Sequence, residues 1–262
     1  METRNTDNKL LDSFITSVRD SSISQRVVYT AIFGNIDVLK EVDNKDLSVS
    51  YRCFTDNRNL KSNTWKITYC EDLFAYPRLT AKVFKLFPNL IFPNSEESLW
   101  VDATFSITGN LTEFFDEYIK DKPIIFFRHP LRDCVYKEAK ICALLGKDED
   151  AIIKTQINDY KALGMPKKNG LVHGGIIFRK HHRQEISKLM EDWWVQINKY
   201  SIRDQLSLNF VAWMNGIELH YFTKRILDNN FFEWGRPDYL PKASFLKGFS
   251  QKILTTWINI AG

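Results

Sequence analysis

Asp102 closes the run Ser98-Leu99-Trp100-Val101-Asp102-Ala103-Thr104, a carboxylate set directly after an apolar stretch. An ionised carboxylate is costly to bury unless it is paired or bound to a metal. At this position it can hold a divalent cation that neutralises a diphosphate leaving group, or it can cap the turn that follows. Asp204 lies in Ser201-Ile202-Arg203-Asp204-Gln205. Ser-x-x-Asp is capping-box spacing, and the same residue could be a functional carboxylate on a helix first turn facing the ligand edge of a sheet. His173-Gly174-Gly175 opens a strand. Two glycines there either admit a ligand close to the backbone or make a bulge. Arg78 and Lys82, at i,i+4, share one helix face and could meet a phosphate or simply water. His173 alone is an ordinary structural histidine.

Several chemistries are not written in the chain. Nothing matches GxxxxGK[ST], no GxGxxG follows the first strand, and neither GxSxG nor HExxH occurs, which argues against P-loop, classical dinucleotide, serine-hydrolase and zincin readings. The four cysteines, Cys53, Cys70, Cys134 and Cys142, form no CxxC pair, so a zinc ribbon or redox motif is not expected and a reducing compartment is. The net charge of +4 suits an anionic substrate or an acidic membrane surface but lacks the dense basic stripe of a nucleic-acid binder. The most basic run, Arg179-Lys180-His181-His182-Arg183, reads as a solvated helix start. No apolar h-region opens the chain, and no stretch reaches the roughly 20 apolar residues of a membrane span. The expected location is cytoplasmic, peripheral to a membrane at most.

These residues need elements to place them. Strands are predicted at 27–33, 49–54, 65–69, 99–101, 124–127, 171–178 and 217–222, each a short β-branched or aromatic run stopped by turn residues. Helices are predicted at 78–87, 111–119, 132–145, 148–163 and 201–214 from apolar spacing, and most clearly around the stripe Ile186, Leu189, Met190, Trp193 and Ile197. Residues 223–243 read as irregular, and 243–260 as a C-terminal amphipathic helix, with Lys242, Lys247 and Lys252 offering membrane contact. The alternation implies one α/β domain with a mostly parallel central sheet flanked by helices. The 36 aromatic residues among 262 must fill a thick core, a ligand groove or a partner surface. Ligands of such sheets bind at the carboxyl ends of strands, which singles out Thr30, Asn35, Asp37, Asp56, Asn57, Asp102, Thr104, Arg128 and His129.

Together these segments resemble a known family. The blocks are Val27 through Asn35 with Asp37; Cys53-Phe54-Thr55-Asp56-Asn57; Leu99 through Ala103; and Arg128-His129-Pro130 with Arg132-Asp133-Cys134, Tyr136 and Glu138. Gly164-Met165-Pro166, Gly170-Leu171, Ile177, Arg179, Arg203 through Ser207 and Phe210 through Trp213 complete the likeness. The family is a glycosyltransferase-like domain first catalogued as a domain of unknown function, found in plant cell-wall and mucilage proteins and in bacterial polysaccharide loci. The resemblance implies a GT-A-like fold over 26–222, after a helical lead-in (1–25) and before a C-terminal extension (223–262). It implies a nucleotide-sugar donor and a glycan or glycolipid acceptor, which the aromatics outside the strands and helical stripes (Phe231, Phe232, Trp234, Tyr239, Phe245, Phe249 and Trp257) could meet, if they do not meet a membrane. Thr30, Ala31, Phe33 and Asp56 would hold the nucleotide, and Gly174 and Gly175 would back the donor sugar. Asp204 and Gln205 look like the Asp-Gln pair of glycogenin-like retaining enzymes, the expected catalytic pair.

Asp102 matches the first Asp of the Asp-x-Asp metal motif, but Thr104 replaces the second. A Mn or Mg ion would then need a distant ligand such as His220; without one, Arg78, Lys82, Arg128 or His129 would neutralise the diphosphate. Two other readings stand beside transfer: a non-catalytic nucleotide- or glycan-binding module with a degenerate metal site, and a metal-assisted phosphoesterase using Asp102 with His129 or His173. The transferase reading expects Asp204→Asn to remove activity and leave the fold intact.

Overall fold

The structure, a computed structural model, describes residues 8–119 and 121–235. Seven strands build the main sheet: β1 (Arg26–Ile32), β2 (Val49–Thr55), β3 (Lys66–Tyr69), β4 (Glu97–Val101), β6 (Ile124–Arg128), β7 (Val172–Arg179) and β8 (His220–Tyr221). Their order is β3-β2-β1-β4-β7-β6-β8. Each neighbouring pair is parallel except the two pairs made by β7, which is antiparallel to both β4 and β6. A second, two-stranded sheet pairs β5 (Phe105–Ile107) with β9 (Phe232–Trp234). The expected α/β fold with a mostly parallel sheet is what the chain adopts.

Period-two alternation in the strands divides the core into two layers. Val27, Tyr29, Trp100, Phe126 and Ile177 face one side, where they pack with α1 (Asn8–Val18), α2 (Pro77–Leu86), α3 (Pro88–Ile91), α5 (Val135–Leu144), α6 (Asp150–Ala162), α7 (Gln184–Lys199) and α8 (Leu208–Met214). Val28, Leu99, Val101, Ile125 and Phe178 face the other side, against α4 (Leu111–Tyr118) and the β5–β9 pair. Most of the aromatic excess is spent here. Phe84 stacks between Phe33 and Phe54, and Phe114 meets Phe222, Phe231 and Phe232.

Helix α2 matters most for the site. Pro77 starts it at a position where its fixed φ is favourable. Leu79, Val83 and Leu86 turn into the core, and the neighbouring stripe carries Arg78, Lys82 and Lys85 at i, i+4, i+7. That stripe emerges at the carboxyl ends of β1 and β4.

Three expectations change. The single helix 201–214 is a 3-10 turn, Asp204–Leu206, followed by α8. The break has a tertiary cause: Trp193 Nε1 donates to both the Asp204 carbonyl (3.0 Å) and Ser207 Oγ (3.1 Å). The stretch read as irregular contains β9, a three-residue strand that exists because β5 supplies its partner, a pairing no local pattern announces. The basic run is not solvated throughout, since Arg179 and His181 are fully buried; Arg179 ends β7 and donates to the Lys85 carbonyl (2.5 Å) and to Tyr29 Oη. The segment 243–260 lies outside the described residues. No described helix is long and apolar enough to cross a membrane.

The two glycines after His173 make a bulge and a close approach at once. Phe126 pairs with Ile177 and Phe127 with His173, so Gly174, Gly175 and Ile176 fall outside that ladder. Gly175 instead accepts from the Asp102 N–H at 2.7 Å. A Cβ on Gly175 would sit 2.6 Å from Phe105 Cε2 and 2.7 Å from His173 Cε1, whereas one on Gly174 would reach only ordinary contact, 3.4 Å from Lys85 Nζ. Gly175→Ala is therefore expected to cost about 1–3 kcal/mol of stability by overpacking, and Gly174→Ala markedly less. Urea denaturation of both variants measures this; equal losses would contradict the packing account.

Candidate active site

Two adjoining clefts open at the carboxyl edge of the sheet. One is lined by Ala31, Phe33, Asp37, Arg78 and Trp100, the other by His129, His173, Gly174, Gly175, Gln205 and Trp234. Lys82, Lys85, Asp102, Thr104 and Arg203 line both and form the wall between them.

At that wall, Lys82 Nζ and Lys85 Nζ each lie 2.6 Å from the same oxygen, Asp204 Oδ2. Burial alone would raise the Asp204 carboxyl, but Lys82, Lys85 and Arg203 outweigh it and hold Asp204 far below the usual carboxylate range. Burial brings the Lys82 ammonium down to about 8 against the pull of Asp204. Lys85 is likewise desolvated, yet Asp102 and Asp204 hold it above its ordinary value. Asp204 is thus not a cap. Arg203 occupies the N-cap position without a side-chain cap bond, and the Asp204 carboxylate points to the lysines.

Asp102 Oδ1 accepts from Trp100 Nε1 (2.5 Å) and lies 3.6 Å from Lys85 Nζ. Burial and the nearby Asp102 raise the Asp37 carboxyl, with Lys40 and Arg78 opposing. Thr104 contributes its carbonyl to the loop, accepting from Lys40 Nζ and Gly235 N, both at 2.8 Å.

The cleft histidines are fixed as neutral donors. His129 Nδ1 accepts from the backbone N–H of Leu131 (3.2 Å) and Arg132 (3.1 Å), and His173 Nδ1 from Gly175 N–H (3.2 Å). With Nδ1 accepting, the ring proton belongs on Nε2, which in His129 faces Glu138 Oε2 (3.7 Å) and Arg132 Nη2 (3.4 Å). Burial pushes both histidines down to about 4. Gln205 Nε2 donates to the Val172 carbonyl (3.3 Å) and its Oε1 accepts from Arg203 (3.4 Å).

Of the residues singled out from sequence, Ala31, Phe33, Arg78, Lys82, Asp102, His129, Gly174, Gly175, Asp204 and Gln205 come together. Four do not. Thr30 is 1% exposed and, by strand alternation, points to the face opposite Ala31. Asp56 accepts from the Gly34 N–H (2.9 and 3.1 Å), so it pins the turn after β1, where Gly34 needs its φ of 68°. Arg128 is exposed and stacks over Tyr221 at 3.9 Å. His220 sits on edge strand β8, separated from β4 by β7 and β6, which is about 14 Å at ordinary strand spacing. It cannot share an ion with Asp102.

The donor set does not suit a divalent cation at Asp102. One carboxylate oxygen is occupied by an indole N–H, an ammonium stands 3.6 Å away, and among the described residues no three His, Cys, Asp or Glu side chains converge as a metal site. The positive charge near Asp102 comes from the protein itself. Sequence reasoning missed Lys85 and Arg203 as site residues, although the i, i+4, i+7 spacing of Arg78, Lys82 and Lys85 was an available signal for Lys85. Of the described aromatics of the irregular stretch set aside for an acceptor or a membrane, Phe231 and Phe232 are buried and Trp234 lines the second cleft, a place that depends on β5–β9 pairing.

Residues 4–231 match the TOD1/MUCI70, glycosyltransferase-like domain family. The chain belongs to that family. The probable hexosyltransferase MUCI70 of Arabidopsis thaliana is 26% identical over 214 residues, covering 71% of this chain and 36% of that protein. The chain therefore spans about a third of the length of that curated relative. Among solved structures, the WbbM bifunctional glycosyltransferase (apo) aligns over 78% of this chain and 39% of its own, at 12% identity and a TM-score of 0.46. Mouse xyloside xylosyltransferase 1 (apo) aligns over 77% and 85%, at 13% identity and a TM-score of 0.40.

Two outcomes follow for this member of the TOD1/MUCI70 family. Asp204→Asn leaves buried Lys82 without its paired carboxylate and Lys85 with Asp102 alone, 3.6 Å away, so it should cost about 3–5 kcal/mol of stability as well as function. That replaces the expectation of an intact fold; an unchanged melting midpoint would contradict the buried pairing. The histidines give a second test. His129 and His173 are depressed from 6.5 to about 4, so the unfolded chain binds their protons first. Their contribution is full above pH 6.5 and is lost as pH falls toward 4, at about 1.4 kcal/mol per pH unit for each histidine. Melting curves between pH 7 and 4 should show this slope, and it should flatten in His173→Gln.

Proposed function

We propose that this protein is a glycosyltransferase that moves a sugar, a hexose by analogy with its curated relative, from a nucleotide-sugar donor to a glycan or glycolipid acceptor. The setting that goes with this reading is surface-polysaccharide synthesis at the cytoplasmic side, peripheral to a membrane. The observation that carries it is the cationic wall of Lys82, Lys85 and Arg203 between two clefts, in a chain of a glycosyltransferase-like family.

The nucleoside lies against Ala31, Phe33, Asp37 and Arg78, and the donor sugar lies over Gly174 and Gly175, where a missing Cβ keeps the backbone close. Breaking the bond to the anomeric carbon leaves a second charge on the terminal phosphate of the diphosphate. Lys82, Lys85, Arg203 and Arg78 outnumber Asp37, Asp102 and Asp204 there, and fixed cations in a water-poor cleft stabilise the departing anion without reorganising. This assigns to lysines the charge neutralisation that the resemblance would give to Mn or Mg.

Asp204 is too acidic to serve as a general base near neutral pH, where an effective base needs a pKa close to the working value. Its charge instead orients Lys82 and Lys85 beside the donor sugar. His173 offers an N–H group, not a lone pair, and His129 has its Nε2 against Glu138 and Arg132. These features favour retention of configuration, which does not call for a classical base on the acceptor. The engaged state of Asp102 gives the non-catalytic binding module its support as a second reading, and turnover of a nucleotide-sugar separates the two.

The test is calorimetric titration of UDP, GDP, ADP and their sugar conjugates, each with Mn²⁺ and with EDTA. One nucleotide class should bind with equal affinity under both conditions. Lys85→Met should weaken it at least tenfold. Because Lys82 deprotonates near 8, affinity should also fall as pH rises from 7 to 9. Binding by no nucleotide would overturn the proposal, and strict dependence on Mn²⁺ would return the charge role to a metal.

A further inference from the structure

The second cleft has a wall that the transfer chemistry above does not use. Trp234 is 40% exposed, yet it is held firmly. Its ring stacks on Phe105 at 5.6 Å and 18°, and meets the His173 ring edge-on at 5.0 Å and 72°. Strand β9 pairs Trp234 with Phe105 in register, and the next residue, Gly235, donates to the Thr104 carbonyl at 2.8 Å. A large apolar ring fixed in position and left open to a cleft is costly to hydrate, and a flat partner would complete it.

The rest of that cleft is polar. His173 lies beside Trp234, and His129, Gln205 and Lys147 line the same space as Gly174, Gly175 and Asp204. An aromatic face bordered by the neutral His173 imidazole N–H, an amide and an ammonium matches one ligand class. A pyranose ring offers a patch of C–H bonds on one face and hydroxyls round its rim. A nucleobase would find the ring too, but the nucleoside cleft lies on the other side of the lysine wall, at Ala31 and Phe33.

We infer that Trp234 is the acceptor platform: a pyranose of the acceptor stacks on its exposed face, with His173 and Gln205 within the same cleft to engage its hydroxyls. This deepens the glycosyltransferase reading and rests on it. Phe105 and His173 act through Trp234 as positioning residues, since they set the plane of its ring. Trp234 stands three residues beyond the segment that matches the family, 4–231.

The experiment uses the full chain labelled with 5-fluorotryptophan, the Trp234 fluorine resonance being assigned from its absence in Trp234→Leu. Leu keeps an apolar contact with Phe105, and a melting curve confirms that the variant folds. Methyl β-xylopyranoside, methyl β-galactopyranoside and methyl α-glucopyranoside are titrated into protein alone and protein holding UDP or GDP. The expected result is that at least one glycoside shifts the Trp234 resonance more than any other tryptophan. Trp234→Leu then weakens that glycoside at least tenfold while nucleotide affinity stays within twofold. If a nucleotide binds but every glycoside leaves Trp234 unmoved, or moves another tryptophan instead, the platform is overturned and the transferase reading survives. If neither nucleotide nor glycoside binds, both fall.

Discussion

A carboxylate lies out of water between two ammonium groups, and the architecture around the cleft depends on that arrangement. Desolvating an ion costs several kcal/mol even after relaxation. Asp204 meets that cost because Lys82 and Lys85 reach the same oxygen. Lys82 depends on Asp204, and Lys85 on Asp204 together with Asp102. The triad links α2 to the 3-10 turn that follows α7, two elements far apart in sequence, and it fixes their separation at the depth of the cleft. Its net positive charge is then available to an anion that enters.

Behind Lys85 stands a second unusual group. Arg179 is fully buried and donates to the Lys85 carbonyl, to Tyr29 Oη and to the Met190 sulfur. The carbonyls of a helix's last turn lack intrahelical donors and carry the negative end of its dipole. A guanidinium there satisfies Lys85 O and sets the end of α2 against β1 and β7. The lysine that lines both clefts is thus held from its backbone side as well as from its side chain. Trp100 plays the matching part for Asp102, fixing its carboxylate with an indole N–H.

Much of the scaffold was legible in the chain. Strand and helix positions followed from β-branched runs and apolar spacing, and the carboxyl-edge rule selected Asp37, Asp102 and His129 before any fold was known. Period-two alternation, taken literally, would also have rejected Thr30, whose neighbour Ala31 owns the cleft face. What was not legible depended on tertiary choices. Capping-box spacing suggested a local partner for Asp204, whose Oδ1 accepts the Gln205 N–H (3.1 Å), while two lysines 119 and 122 residues away hold its other oxygen. Helix 201–214 looked continuous because nothing local reveals that the Trp193 indole takes the Asp204 carbonyl. Buried cations such as Lys85 and Arg179 read as surface in any composition-based view, because Lys and Arg are seldom fully buried.

The pairing of β9 with β5 bears on where this molecule can be cut. A chain ended at residue 231, where the family likeness stops, would lack β9 altogether. It would leave the backbone of Phe105–Ile107 as an open edge, the kind of edge that templates self-association. The Thr104 carbonyl would keep Lys40 but lose its Gly235 donor, loosening the loop that carries Asp102. A working piece of this protein therefore needs at least the residues through Gly235, and a shorter fragment would be prone to aggregate for reasons unrelated to catalysis.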